Sequence, residues 1–128
     1  MVVDMTLLYV DHRFREHLTG QHPERPERII QVERQLERTG LIERCVRPTW
    51  SPADDDMLLR AHTAEYLRNV ANFAALGGGR IEDDTVVSER SEFVARLAAG
   101  AAVDATQRVL RNEARTAFVL SRLPVIMR

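Results

Sequence analysis

Three histidines, His12, His17 and His22, fall in one stretch between Asp11 and Arg28. Imidazole nitrogens are common zinc ligands, and a catalytic zinc keeps an open position beside its protein ligands. The same side chains also suit structural hydrogen bonds in a long loop. Further along, Glu82, Asp83 and Asp84 form a run of acids that could hold a polar ligand or simply face water near a helix start. Cys45 is the only cysteine, so it cannot form an internal disulfide, and one thiol is not a zinc cluster. A buried, inert Cys45 is the expectation, and His62 is read as a helix-end packing residue.

These residues need elements to position them. Thr6 to Val10 is a short apolar run ending at Asp11, which suits a buried parallel strand with polar groups at its carboxyl end. Asp11 to Arg28 reads as a long loop feeding a helix, with Pro26 at the first helical turn. Ile29, Val32 and Leu36, with Ile30 beside them, form the apolar stripe of that helix, while Glu27, Glu33, Arg34 and Glu37 can face water. Gly40 is a natural carboxyl cap. Cys45 to Trp50 could form a short strand that Pro48 confines to an edge. Ser51 is expected to cap a helix with Pro52 at its first position and Asp54 reaching back, the helix running through His62. Thr63 can cap the next helix, whose apolar face is Tyr66, Leu67, Val70, Phe73 and Ala74, with Gly77-Gly78-Gly79 ending it.

Arg80 to Val87 reads as a polar loop. Ser88 or Ser91 then opens the longest helix, running to about Ala114, and its middle, Ala98-Ala99-Gly100-Ala101-Ala102, is small enough for close packing. Thr116 to Leu120 is a second run of strand length. The order strand, helices, strand predicts an α/β protein with a parallel sheet.

Composition narrows the function classes. The 128 residues suit one domain, and a formal charge of -1 gives no electrostatic case for nucleic acid or an anionic membrane. All 18 basic residues are arginine. No apolar run approaches the roughly 20 residues needed to span a bilayer, and Met1 to Asp11 has the wrong pattern for a secretory signal, so a cytoplasmic location is expected.

The most specific segment is His22-Pro23-Glu24-Arg25-Pro26-Glu27-Arg28. Helix-start physics accounts for Pro26 and Glu27 but does not require His22 or Arg28. Followed by an aliphatic helix, this segment resembles the first loop and helix of the histone deacetylase and acetylpolyamine amidohydrolase family. Tyr9-Val10-Asp11, Leu58 to Leu67, Asp83-Asp84-Thr85 with the Ala-Ala-Gly helix, and Ala117 to Arg122 are similar to later parts of the same domain, in order. The resemblance implies the opening, incomplete part of an arginase- and deacetylase-like parallel sheet flanked by helices. Complete relatives would use zinc to remove acetyl groups from lysine or polyamine nitrogens.

Two positions take family roles from the resemblance. Asp84 matches the rim carboxylate that holds the substrate backbone, with Asp83 the competing candidate. Arg28 matches an arginine near the pocket floor. Each has a plain structural alternative, an exposed loop acid or an arginine bonding loop carbonyls. The family's metal ligands come from later segments, so His12, His17 and His22 are expected to be structural and no metal or other cofactor is expected on this chain.

The resemblance stops at Arg122. The family continues Pro-Pro-Gly-His-His-Ala, whose histidines are its general acid/base pair; this chain reads Leu123-Pro124-Val125-Ile126-Met127-Arg128. Written as CCT CCC GGT CAT CAT GCG and stripped of its leading C, the family motif translates as Leu-Pro-Val-Ile-Met-Arg. The expectation is therefore an amino-terminal deacetylase portion over 1–122, a frameshifted tail over 123–128, and no activity from this chain alone. Missing strands would leave an exposed sheet edge through which the chain self-associates. The alternatives are a non-catalytic interaction module and a product without function.

Overall fold

The computed structural model describes residues 5–16, 26–77, 79–82, 85–87 and 90–121. Strand β1, Leu7–Tyr9, is buried along its whole length. A 3-10 turn over His12–Glu16 leads away from it, and helix α1 spans Pro26–Arg38. A second 3-10 turn, Ile42–Arg44, precedes helix α2 at Asp55–Leu58 and helix α3 at Ala64–Ala75. Strands β2, Gly79–Glu82, and β3, Thr85–Val87, come before the long helix α4, Ser91–Leu110, and strand β4, Ala117–Val119.

The central feature is the parallel pairing of β1 with β4, Leu7 to Ala117 and Tyr9 to Val119. On the other side of β1 the expected second strand shrinks to a single parallel bridge, Leu7 to Val46. Pro48 lacks the N–H that a longer ladder would need. Spatially the order is Val46, β1, β4. One face of this small sheet packs on α4 and the turn after it: Leu7 and Tyr9 cluster with Ala101 and Ala105 of the helix and with Ala114 beyond its end. A second cluster, Phe14, Ile29, Val94, Leu97, Ala98 and Leu120, joins the loop, α1 and α4 beyond the strand ends. The α/β class with parallel strands and flanking helices is what the sequence predicts.

Small residues let α4 come close to its neighbours. A Cβ on Gly100 would lie 2.1 Å from the Ser51 carbonyl oxygen, so the chain at Ser51–Ala53 crosses α4 where only glycine fits. Ala53 N donates to the Arg96 carbonyl at 2.8 Å, and Arg96 returns bonds to the Ala53 carbonyl at 3.2 Å and Asp55 at 2.7 Å.

Several local expectations change. Asp54, not Ser51, caps α2, accepting from Met57 N at 2.9 Å, because Ser51–Ala53 is held extended against α4. Thr63 caps α3 as expected, with Tyr66 N donating to Oγ1 at 3.1 Å. Val32 is 41% exposed, while Glu33 turns partly inward to pair with Arg15; the ion pair rotates the buried stripe toward Ile29, Glu33 and Leu36. Within the expected loop over Arg80 to Val87, Gly79–Glu82 and Thr85–Val87 pair as antiparallel strands, consistent with the β-branched Ile81, Thr85, Val86 and Val87. Ser91 opens α4 as expected, as its fully buried first residue, with Arg90 in the cap position. The helix ends at Leu110 instead of Ala114, because Asn112 adopts a φ of 59° and Glu113 N reaches back to the Arg108 carbonyl at 2.9 Å. Gly40 closes α1 in the same way, at a φ of 72° with Leu41 N on the Leu36 carbonyl at 3.0 Å. Cys45 is free but half-exposed, since it sits between the second 3-10 turn and the Val46 bridge. Among the described residues, no helix is long and apolar enough to cross a membrane.

Candidate functional site

The chain leaves β1, reaches Val46 on one side, and returns as β4 on the other. The path therefore reverses direction about β1. In open α/β sheets, ligands bind outside the carboxyl ends of strands at such a reversal. Here that edge carries Val10 and Asp11 after β1, Thr49 and Trp50 after the bridge, and Leu120 and Ser121 after β4.

Asp11 and Arg13 form the best-defined polar pair on this edge. Arg13 donates from Nε to Asp11 Oδ1 at 2.9 Å and from Nη2 to Oδ2 at 2.7 Å, and its backbone N adds a third bond at 2.8 Å. The Arg13 hydrogen bonds hold the Asp11 carboxyl below the usual carboxylate range, against the opposing effect of burial. Beside them a cleft of about 530 Å³ is lined by Asp11, His12, Arg13, Glu33, Arg47 and Trp50. The Arg13 guanidinium also lies 5.6 Å from the Phe93 ring centroid, with Arg90 at 4.6 Å from the same ring.

Trp50 fixes the floor beneath this edge. Its Nε1 donates to the Leu97 carbonyl at 2.9 Å, and its ring meets Tyr9 edge-on at 5.2 Å and Phe14 in a stack at 6.0 Å. Tyr9 is fully buried, and its hydroxyl donates to Asp104 at 2.8 Å. Arg108 holds the same Asp104 oxygen at 2.8 Å. Burial and then the bond to Asp104 push the Tyr9 hydroxyl far above its ordinary pKa.

Of the residues singled out from the sequence, Arg28 stands in the first turn of α1 and is exposed. Pro26 opens that helix and Glu27 follows it. His22, Pro23, Glu24 and Arg25 lie outside the described residues, as do His17, Asp83, Asp84 and the tail after Ser121. The structure therefore does not bring Arg28 and the acid pair into one described site. His12 is exposed in its 3-10 turn. His62 stacks on Tyr66 at 5.2 Å, as a helix-end packing residue should. Among the described residues no three His, Cys, Asp or Glu side chains converge to hold a metal ion. Sequence reasoning missed the Asp11–Arg13 pair and the Trp50 floor. An Asp-x-Arg step after a strand was the available signal for the first; nothing local announces the second.

Residues 22–125 match the family model of the histone deacetylase domain. The chain belongs to the histone deacetylase family. A histone deacetylase-like amidohydrolase of Pseudomonas aeruginosa is 38% identical over 103 residues, covering 80% of this chain and 27% of that protein. The polyamine deacetylase HDAC10 of Homo sapiens is 32% identical over 107 residues, covering 79% of this chain and 16% of its own. The solved structure of the HDA15 HD domain superimposes with a TM-score of 0.87 at 28% identity, over 94% of this chain and 36% of that one. The family member described here thus spans well under half the length of each of these relatives. The high TM-score places its strands and helices in the deacetylase arrangement.

Proposed function

We propose that this chain forms the opening part of an amide hydrolase domain and supplies part of the rim and floor of its substrate pocket. The observation that carries this reading is the parallel β1–β4 pair. Its carboxyl ends open on one edge of a fold that superimposes on a deacetylase domain. The reaction of the whole domain is the zinc-dependent removal of acetyl groups from lysine or polyamine nitrogens. The metal and its ligands belong to that whole domain.

Within it, Asp84 accepts two amide hydrogen bonds and so orients an acylated amine or lysine backbone across the rim. Asp83 is the neighbouring carboxylate that could take its place. Arg28 contributes a fixed positive charge toward the pocket floor. A polypeptide of these residues alone turns over no acetylated lysine or acetylpolyamine, because positions 123–128 read Leu-Pro-Val-Ile-Met-Arg where the family carries its histidine pair. A fluorogenic acetyl-lysine assay with added zinc checks this, and zinc-dependent turnover by the purified chain would refute it.

The rim assignment is tested in a chimera with residues 6–121 in place of the matching stretch of the Pseudomonas amidohydrolase. Asp84→Asn should lower kcat/KM by about tenfold or more, since a charge-assisted hydrogen bond is worth roughly 1.5–3 kcal/mol. Asp83→Asn should change it by less than about threefold, the scatter of surface substitutions. The reverse pattern would move the role to Asp83; indifference to both would sink it.

A further inference from the structure

Arg13 joins two parts of the chain that lie far apart in sequence. Its guanidinium is held on Asp11, just after β1, through Nε at 2.9 Å and Nη2 at 2.7 Å. The same guanidinium stands 5.6 Å from the ring centroid of Phe93, in the first turn of α4. A flat guanidinium fixed along one edge by a carboxylate is pre-organised to meet an aromatic ring, which a lysine ammonium is not. Phe93 in turn packs on the cluster of Phe14, Ile29, Val94 and Leu97. Phe14 follows Arg13 in the same 3-10 turn, so an apolar ring and a charge together dock that turn on the start of α4.

Arg90, the residue before α4, brings a second guanidinium to 4.6 Å from the same ring. Two like charges on one ring repel, and the Asp11 carboxylate offsets the charge of Arg13. The 3-10 turn precedes the His22–Arg28 segment in sequence. At the other end of the contact, only Ser88, Glu89 and Arg90 separate β3 from α4, and Asp84 is the residue before β3.

We propose that Arg13 is a positioning residue for the rim carboxylate. Clamped by Asp11 and seated on Phe93, it fixes the start of α4, and with it the β3 segment that leads from Asp84, relative to the first loop. It acts through Asp84 and not on the substrate, so this inference rests on the rim reading above.

The first test uses the full chain. Arg13→Gln removes the charge and the fork but keeps a polar side chain. Amide hydrogen exchange should quicken by about fivefold or more at residues 85–87 and 94–97, and by less than about twofold at residues 105–110 of α4. Equal quickening at both places would mean general destabilisation and overturn the proposal, as would no change at either. Should that variant fail to fold, Phe93→Leu and Phe93→Tyr take its place. Leucine keeps the apolar bulk without the ring, and tyrosine keeps both, so only Phe93→Leu should quicken residues 85–87. Equal behaviour of the two would overturn the clamp.

The second test uses the chimera with the Pseudomonas amidohydrolase. With Asp84 present, Arg13→Gln should lower kcat/KM by about fivefold or more, chiefly through KM. In an Asp84→Asn background the same change should cost less than about twofold, because its route to the substrate is already gone. An equal loss in both backgrounds, or none in either, overturns the inference and leaves the rim reading standing. A silent Asp84→Asn sinks the rim reading, and this inference falls with it.

Discussion

Tyr9 sits on the central strand with no exposed surface, and its hydroxyl is anchored by Asp104, which Arg108 also holds. Its hydroxyl keeps its proton in the folded state to a pH well above the unfolded value of about 10. Above that value the unfolded chain loses a proton that the folded chain retains, so stability falls as pH rises. Below it, the contribution is fully present. Thermal melts at about pH 9 and pH 11 should therefore differ more for the natural chain than for Tyr9→Phe, which has no proton to lose. Equal pH dependence in both would contradict the assignment. At this scale the sequence was only partly legible. The short run ending at Asp11 identified a buried strand, but nothing local links Tyr9 to Asp104 or Trp50 to Leu97. Those partners are brought together by tertiary packing alone. Asp84 and Arg28 came from matching a motif, and their assignment rests on the chimera.

At the scale of elements, α4 organises the molecule, and Gly100 is the point where it admits the Ser51–Ala53 segment. Gly100→Ala gains roughly 1 kcal/mol of helix propensity. The added methyl, however, would sit 2.1 Å from a backbone oxygen that cannot swing aside. Overpacking of this kind costs about 1–3 kcal/mol, so a net loss of stability is expected in a urea melt. A more stable variant would show that the crossing is looser than described. The small-residue run in α4 was readable as a close-packing surface, and the Pro26 start, Thr63 cap and Gly40 stop were readable from local chemistry. The Ser51 cap failed because tertiary bonds to Arg96 claimed its segment for an extended path. The end of α4 was misplaced because an asparagine closed the helix where the alanine-rich pattern suggested continuation. The β2–β3 hairpin was hidden by its acidic middle, which reads as loop.

For the whole molecule, alternation of strand and helix indicated an α/β class, and the motif from His22 to Arg28 indicated which one. Pairing partners were less legible: parallel neighbours far apart in sequence leave no local mark, and only packing put β4 beside β1. The family match over residues 22–125 and the superposition on the HDA15 domain agree with that reading. The central claim is that this stretch folds as the opening part of a deacetylase domain and builds part of its pocket. Zinc-dependent deacetylation by the unsubstituted chimera with the Pseudomonas amidohydrolase tests it most directly. Turnover of an acetylated substrate within about a hundredfold of the parent enzyme is predicted, that allowance covering small misplacements at the joints. A folded, zinc-loaded chimera that leaves the acetyl group in place would contradict it.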